Sequence, residues 1–447
     1  MSALARVLLR EGVSVSGSDG QDSAILRQLA EAGAAVFVGH AASQVPPDAV
    51  VVVSDAIKGD NPELLAARER GQQVMRRSEL LGRLMERHDA IAVSGTHGKT
   101  TTTAMLGHIL LEAGEDPTII VGGHVRELGG NARVGHGPLF VAEACEAYDA
   151  LLDTRPRIAV ITNIEADHLD HHGTIEHIVA SFRRFAEQIV PGGCLVYNAD
   201  DERAALVAEA CERRCVSFGW RSGDWRPEDP ACSGASSAFA VSHNGSHVAR
   251  VELPLPGKHY VLDALAAMAA AAEAGVRPET AACALRSFEP VGRRFEKLGE
   301  TNGVSVYDDY AHHPTEVRMT LEAARHAFSG RLIAVFQPHL YSRTRDHLQE
   351  FIAAFDAADE AYIAPIYGSR EEPIPGVDAG QIVDGIHRRS PGKPCRLCAM
   401  DALPDLLRAR TSPGDVVFVM GAGDIRRVAE ELVAASGCPA VGQPARL

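Results

Sequence analysis

Long apolar runs are missing from this chain of 447 residues. No stretch approaches the ~18 residues that a membrane span requires, and the first residues lack the apolar core of a signal peptide, so a cytoplasmic protein without membrane contact is expected. Cysteine is present but unorganised: the nine residues are an odd number scattered along the chain, which excludes a secreted disulfide framework and leaves reduced thiols. CRLC, with Cys395 and Cys398, has no second pair at zinc-site spacing nearby, and Cys211 and Cys215 in CERRC are far away in sequence. A basic surplus is lacking too. With 44 Lys and Arg against 59 Asp and Glu, the net charge of -15 argues against nucleic acid as a partner, because phosphate backbones are neutralised by clustered cations. Solenoid-type repeats are absent.

What is there suits a multidomain α/β protein. The length exceeds one hydrophobic core and suggests about three domains. Short apolar segments (VSVSGSD, AAVFVG, AVVVVSDA) alternate with amphipathic helices (SAILRQLAEAG, NPELLAARERG) up to residue 87, the pattern of a parallel sheet. A second α/β run over 88–291 has strands DAIAVSG, LFVAEA, IAVITNI and CLVYNAD, an antiparallel hairpin FAVSHNGSHVARVELPLPG and two Ala-rich helices. The third, 292–447, opens on VGRRFEKLGETNG and carries strands RLIAVFQP, EAYIAPI and GDVVFVMG. The expected fold class is therefore three α/β domains in series: Rossmann-like, P-loop-like and Rossmann-like. The first lacks the strand and glycine turn that precede the helix of a complete nucleotide-binding unit, although Asp19 stands where an acid ends the second strand.

AVSGTHGKTTTTAML is the strongest chemical signal. A strand runs into a glycine turn, then Lys99, Thr100 and an apolar helix, so backbone N–H groups and a helix N-terminus face phosphate oxygens while Lys99 reaches terminal phosphates. The strict P-loop places glycine six residues before the lysine, where this chain has Val93; the shorter form Gly95-x-x-Gly98-Lys99-Thr100 holds. Glu143 and Glu146 end a later strand, and TNIEADHLDHH puts Asn163, Glu165, Asp167 and His168 after another. Acids and an imidazole near a phosphate loop suit divalent metal bridging a nucleotide and an anionic substrate. In the third run DDYAHHPTE and FQPHLYSRTR follow strands. Their histidines and aspartates fit either a metal site or a polar loop ahead of a helix. Arg343 and Arg345 fit either an anion clamp or helix-start surface charge.

Taken in order, SGTHGKTTTTAM, NIEADHLD, GRRFE, VYDDYAHHPTEV, FQPHLYSRTR, PIPGV and GDVVFVMGAGDI resemble the Mur ligases of peptidoglycan synthesis across nearly the whole chain. The resemblance implies an ATP-dependent ligase of the alanine-adding type, with UDP-N-acetylmuramate and L-alanine as small-molecule substrates and a monomer or weak homodimer as the assembly. ATP would phosphorylate the lactoyl carboxylate and the amine would attack the acyl phosphate. Gly95, Thr96, His97, Gly98, Lys99, Thr100 and Thr101 would wrap the triphosphate. Thr100 and Glu143 would hold one Mg²⁺ and His168 a second beside the substrate carboxylate. Asp309 would contact the nucleotide, His312 and His339 the reacting end, and Arg343 the alanine carboxylate. Arg293 and Arg294 would approach the phosphates on domain closure. Asp19 and His40 would be the remaining contacts to the sugar nucleotide, an upstream strand and glycine turn being expected before Met1.

Three departures from that family stand out. Tyr260 and Asp263 occupy positions where an Asn pair reads adenine, and Asp263 accepts but does not donate, which implies altered base recognition. No lysine occurs between Lys99 and Lys258, so the carbamylated lysine of several relatives has no counterpart there. Cys145 sits between Glu143 and Glu146. A ligase adding a preformed tripeptide to the same sugar nucleotide, a P-loop kinase, and a catalytically impaired sugar-nucleotide-binding regulator remain as alternatives.

Overall fold

A computed structural model describes residues 1–54, 56–369 and 371–434. By packing, the chain divides into two compact units: Met1–Arg226 with Leu265–Ala284, and Pro227–Ala264 with the chain from Leu285 on. No helix among the described residues is long and apolar enough to cross a membrane.

In the first unit, seven neighbouring strands run Arg214–Phe218, Cys194–Asn198, Ile158–Ile161, Asp89–Ser94, Leu139–Glu143, Thr118–Val125 and Gly130–Arg133. All pair in parallel except the last, which is antiparallel to its neighbour. The sequence explains the class. Asp89–Ser94, Leu139–Glu143 and Ile158–Ile161 are apolar runs without alternation, as strands covered on both faces must be. The helix Lys99–Glu112 has no polar face, and Thr101 to Leu110 are all buried.

The first 87 residues add two small parallel pairs, Ser16–Asp19 with Ala35–Val38 and Val51–Val53 with Val74–Arg76. Their packing is not self-contained. Ala3, Leu4 and Val7 of the opening helix and Leu81, Leu84 and Met85 of Arg77–Met85 share one apolar cluster with Ala90, Ala92 and Phe140 of the large sheet. Consequently no break in packing marks the expected boundary at residue 87.

The second unit contains the antiparallel hairpin Ser236–His243 and Ser246–Leu253, and a six-stranded sheet ordered Glu296–Thr301, Val304–Asp309, Val416–Met420, Leu332–Phe336, Glu360–Ile363 and Cys395–Leu397. Only its first pair is antiparallel. Glu296–Thr301 lies inside the segment that the sequence reading treats as a boundary; its Gly299 and charged residues hide it from a periodicity test, and its pairing partner supplies what its own pattern lacks. Against this sheet Phe295, Tyr307, Phe328 and Phe418 form one aromatic cluster, with Tyr307 and Phe418 stacked at 4.8 Å.

Phe418 is fully buried at the centre of that cluster. Phe418→Ala is expected to cost about 3–5 kcal/mol through lost burial and a residual cavity, visible as an earlier transition on urea denaturation followed by near-UV circular dichroism.

Candidate active site

The strand Asp89–Ser94 stops at Gly95, and the chain turns into the helix through Gly98, which has φ 80°. Gly95 itself has φ 135°, and a Cβ there would lie 1.9 Å from Thr162 Oγ1, so only glycine fits. Neighbouring strand ends brace the turn. Asn163 Oδ1 accepts from His97 N–H at 2.9 Å, its Nδ2 donates to the His97 carbonyl at 3.0 Å, and Thr162 Oγ1 donates to the same carbonyl at 2.6 Å. Thr96 Oγ1 accepts from Glu165 N–H at 2.8 Å. Gly95 to Thr101 are thus held as a preformed loop at the C-terminal ends of parallel strands, where open α/β sheets bind ligands.

Lys99 folds back over this loop. Its Nζ donates to the Thr96 carbonyl at 3.0 Å and lies 2.8 Å from a carboxylate oxygen of Glu146. Burial acts to lower the lysine's proton affinity, but Glu146, with smaller contributions from Cys145 and Glu143, outweighs it and leaves the ammonium held above its ordinary range. Burial and the Glu146 charge push the Cys145 thiol up to about 11, so it stands between the two acids as a neutral thiol. Thr100 Oγ1 donates to Glu143 at 3.1 Å, and Glu143 also accepts from Gly122 N–H. A hydroxyl and a carboxylate side by side are hard oxygen donors of the kind Mg²⁺ prefers. His168 follows the strand Ile158–Ile161 in a left-handed conformation, φ 53°, with its Nε2 3.9 Å from the Asp167 carboxylate.

Elsewhere in the first unit, Asp19 is exposed and its carboxylate accepts from the nearby Gln21 N–H. His40 is better organised. Its Nδ1 is 2.9 Å from Ser18 Oγ, which donates to Glu63 at 2.7 Å. Ser18 and Glu63 escape the sequence reading because they lie 45 residues apart and belong to no motif; parallel pairing of Ser16–Asp19 with Ala35–Val38 and the start of the helix Pro62–Glu69 bring them together.

The second unit gathers a different group. His312, His339 and Arg343, which come from two separate motifs, converge: the two imidazoles are 5.7 Å apart and His339 Nδ1 is 3.2 Å from the Arg343 guanidinium. Arg343 is buried, and His312 Nδ1 faces the Tyr310 carbonyl at 2.9 Å and Glu316 at 3.2 Å. A carbonyl oxygen only accepts, so Nδ1 carries a proton and, in the neutral form of the ring, the lone pair is on Nε2. Arg293 and Arg294 both lie over the Tyr310 ring, at 4.9 and 5.3 Å. Arg293 donates to Asp308 and to the Gly421 carbonyl, and Arg294 stands 3.7 Å from Glu316. Asp263 is buried, and Tyr260 sits within electrostatic reach of Asp263, Arg294 and Asp309, its phenol pushed far up chiefly by burial.

Asp309 is not an open ligand. One carboxylate oxygen accepts from Phe295 N–H and the other from Ala311 N–H, each at 2.8 Å, and the residue is 2 % exposed. Its structural work is to fix the Arg293–Phe295 turn, where Arg293 and Phe295 both have positive φ.

A strand, glycine turn and helix braced on a parallel sheet define a nucleotide-phosphate-binding α/β protein. Comparison with known families narrows this. Residues 1–89 match the "Mur ligase family, catalytic domain", 93–271 the "Mur ligase middle domain", and 293–423 the "Mur ligase, glutamate ligase domain". UDP-N-acetylmuramate–L-alanine ligases of Paenarthrobacter aurescens and Renibacterium salmoninarum are 45 % and 44 % identical to the chain, each over 98 % of it and over 95 % and 94 % of their own lengths. Among solved structures, the UDP-N-acetylmuramate-alanine ligase of Thermotoga maritima superposes with a TM-score of 0.82 at 30 % identity, covering 97 % of this chain and 96 % of its own. A murein peptide ligase from Psychrobacter arcticus gives 0.70 at 27 % identity, covering 98 % and 96 %. The chain belongs to the Mur ligase family.

Burial raises the Asp309 carboxyl from 3.8 to about 6 despite Arg294 and the two backbone donors. A carboxyl that binds its proton more tightly when folded contributes stability that is fully present below the unfolded pKa and lost as pH rises through about 6. Chemical denaturation of the wild type and of Asp309→Asn across pH 4–7 is therefore expected to show the wild type's advantage shrinking as pH rises.

Proposed function

We propose that this chain joins L-alanine to the lactoyl carboxylate of UDP-N-acetylmuramate in an ATP-dependent reaction that supplies peptidoglycan precursors in the cytoplasm. The observation that carries this reading is the near full-length likeness to curated alanine ligases; the arrangement of both groups of residues supports it. On this reading the three family segments act as sugar-nucleotide, ATP and amino-acid domains, over 1–87, 88–291 and 292–447. The protein works on small molecules as a monomer or weak homodimer.

The loop from Gly95 to Thr101 wraps the triphosphate, the N–H groups at the start of the helix Lys99–Glu112 serving the phosphates while those of Thr96 and His97 stay on Asn163 and keep the loop braced. Lys99 exchanges Glu146 for the γ-phosphoryl oxygens and stabilises the charge that moves during transfer to the substrate carboxylate. Thr100 and Glu143 would hold one Mg²⁺, and His168, beside Asp167, a second. Bound there, divalent cations would supply neutralisation of phosphate charge. Asp263 and Arg294 serve the nucleotide, while Asp309 acts through the backbone turn it holds. Ser18, Glu63 and His40 offer the sugar nucleotide a small polar cluster, with Asp19 at its exposed edge.

In the second unit Arg343, oriented by His339, receives the alanine carboxylate. An ammonium group has no lone pair, so it first loses a proton, which on this reading passes to His312 Nε2. The freed nitrogen attacks the acyl carbon, the bond to the phosphate oxygen breaks, and inorganic phosphate leaves with the bonding electrons. The products are the amide, ADP and phosphate.

Lys99→Ala is expected to abolish alanine-dependent phosphate release in the presence of ATP and UDP-N-acetylmuramate while far-UV circular dichroism stays unchanged. Turnover near the wild-type rate would overturn the mechanism.

A further inference from the structure

Arg343 is carried by a helix too short to hold itself in place. Tyr341–Asp346 has six residues, the preceding Leu340 has φ 69°, and that residue's side chain makes no capping hydrogen bond. A helix of this length is unstable alone, and the N–H groups of its first turn need partners from elsewhere. They come from the chain that follows the strand Glu360–Ile363. Tyr367 N–H donates to the Pro338 carbonyl at 2.8 Å, and Leu340 N–H donates to the Tyr367 carbonyl at 3.0 Å. This clamp lays the Tyr367 ring against the His339 imidazole, 18° between planes and 5.9 Å between centroids. Gly368 then packs so closely on Tyr341 that a Cβ there would lie 2.9 Å from its ring.

Glu371 closes this set of contacts. One of its carboxylate oxygens accepts from Ser342 N–H at 2.9 Å and the other accepts from the Ser342 hydroxyl. A carboxylate presents two acceptor oxygens side by side, so a single side chain fixes both the backbone and the side chain of Ser342. Glu371 stands just ahead of PIPGV and belongs to none of the sequence motifs. Its partner Ser342 is the residue next to Arg343. The buried Arg343 guanidinium takes its direction from the helix backbone and from His339 Nδ1 at 3.2 Å. Both supports are gripped by the same segment, His339 by Tyr367 and Ser342 by Glu371.

We infer that Glu371 is a positioning residue, which holds Ser342 and through it aims Arg343 at the carboxylate of the amino-acid substrate. This rests on the proposed ligase reading, in which Arg343 receives that carboxylate. Glu371 acts on the arginine through the backbone of one short helix. Its removal therefore weakens capture of the amine and leaves binding of ATP and of the sugar nucleotide as they were.

The test is alanine-dependent phosphate release by wild type, Glu371→Ala and Glu371→Gln, with KM measured separately for L-alanine, ATP and UDP-N-acetylmuramate. Glu371→Ala is expected to raise KM for L-alanine by about tenfold, the scale of losing hydrogen bonds to a charged group, while the other two KM values stay at wild type. Glu371→Gln, whose amide can accept from Ser342 N–H and donate to Ser342 Oγ, recovers most of that loss. Loss of folded protein, followed by a thermal melt, lowers kcat and leaves every KM where it was. If Glu371→Ala does not fold, Ser342→Ala removes the hydroxyl contact alone, and a smaller rise confined to L-alanine supports the inference. An unchanged KM for L-alanine in whichever of these variants folds, or a rise shared by all three substrates, overturns the inference and leaves the ligase reading standing. Absence of alanine-dependent phosphate release in the wild type overturns the ligase reading, and this inference with it.

Discussion

The pairing of Lys99 with Glu146 is the interaction on which the phosphate loop depends. A lysine that must meet phosphate has to be kept charged where water is scarce, and its side chain is only 14 % exposed. Removing an ammonium from water costs several kcal/mol unless a partner offsets it. Glu146, itself 3 % exposed, is that partner. The pair does more than neutralise: Lys99 also donates to the Thr96 carbonyl and so ties the turn to the helix start. On the proposed function, the residue that carries charge to the ligand also stabilises the loop before the ligand arrives.

The loop is rigid for a reason that lies outside its own sequence. Gly95 and Gly98 permit the turn, but permission alone would leave it mobile, since glycine loses more backbone freedom on ordering than other residues. What orders it is the neighbouring strand Ile158–Ile161, whose end delivers Thr162 and Asn163 to the His97 peptide from both sides. Parallel pairing in register with Asp89–Ser94 makes this automatic: Ser94 is opposite Ile161, so the residues that follow each strand meet.

This geometry also explains how much of the molecule was legible in the sequence. The strands flanking the loop were readable because they are short, apolar and bounded by turns, and the expected roles of Lys99, Thr100 and Glu143 rested on a glycine turn before a helix and on a strand end. Glu296–Thr301 was not readable, because an edge strand with glycine and charges takes its identity from its partner. Asp309 reads as a ligand in DDYAHHP, yet its two oxygens are spent on Phe295 and Ala311 N–H, a fact that no local pattern encodes. Ser18, Glu63 and Tyr367 were invisible for a third reason: each acquires its role only through a partner tens of residues away.

Asp308 and Asp309 illustrate how adjacent residues on one strand divide structural labour. Period-two alternation sends them to opposite faces of the sheet strand Val304–Asp309. Asp308 lies between the guanidinium groups of Arg293 and Arg426, while Asp309 holds the backbone of Phe295. Both are buried, and burial raises both carboxyls, but the opposing forces differ: two full cations act on Asp308, and one cation with two peptide dipoles on Asp309. Arg293 is gripped at its guanidinium by the first and at the following turn by the second. Its neighbour Arg294 is set over Tyr310 with the Glu316 carboxylate at 3.7 Å and the Asp309 carboxyl within electrostatic reach, so the direction of that charge is held from more than one side.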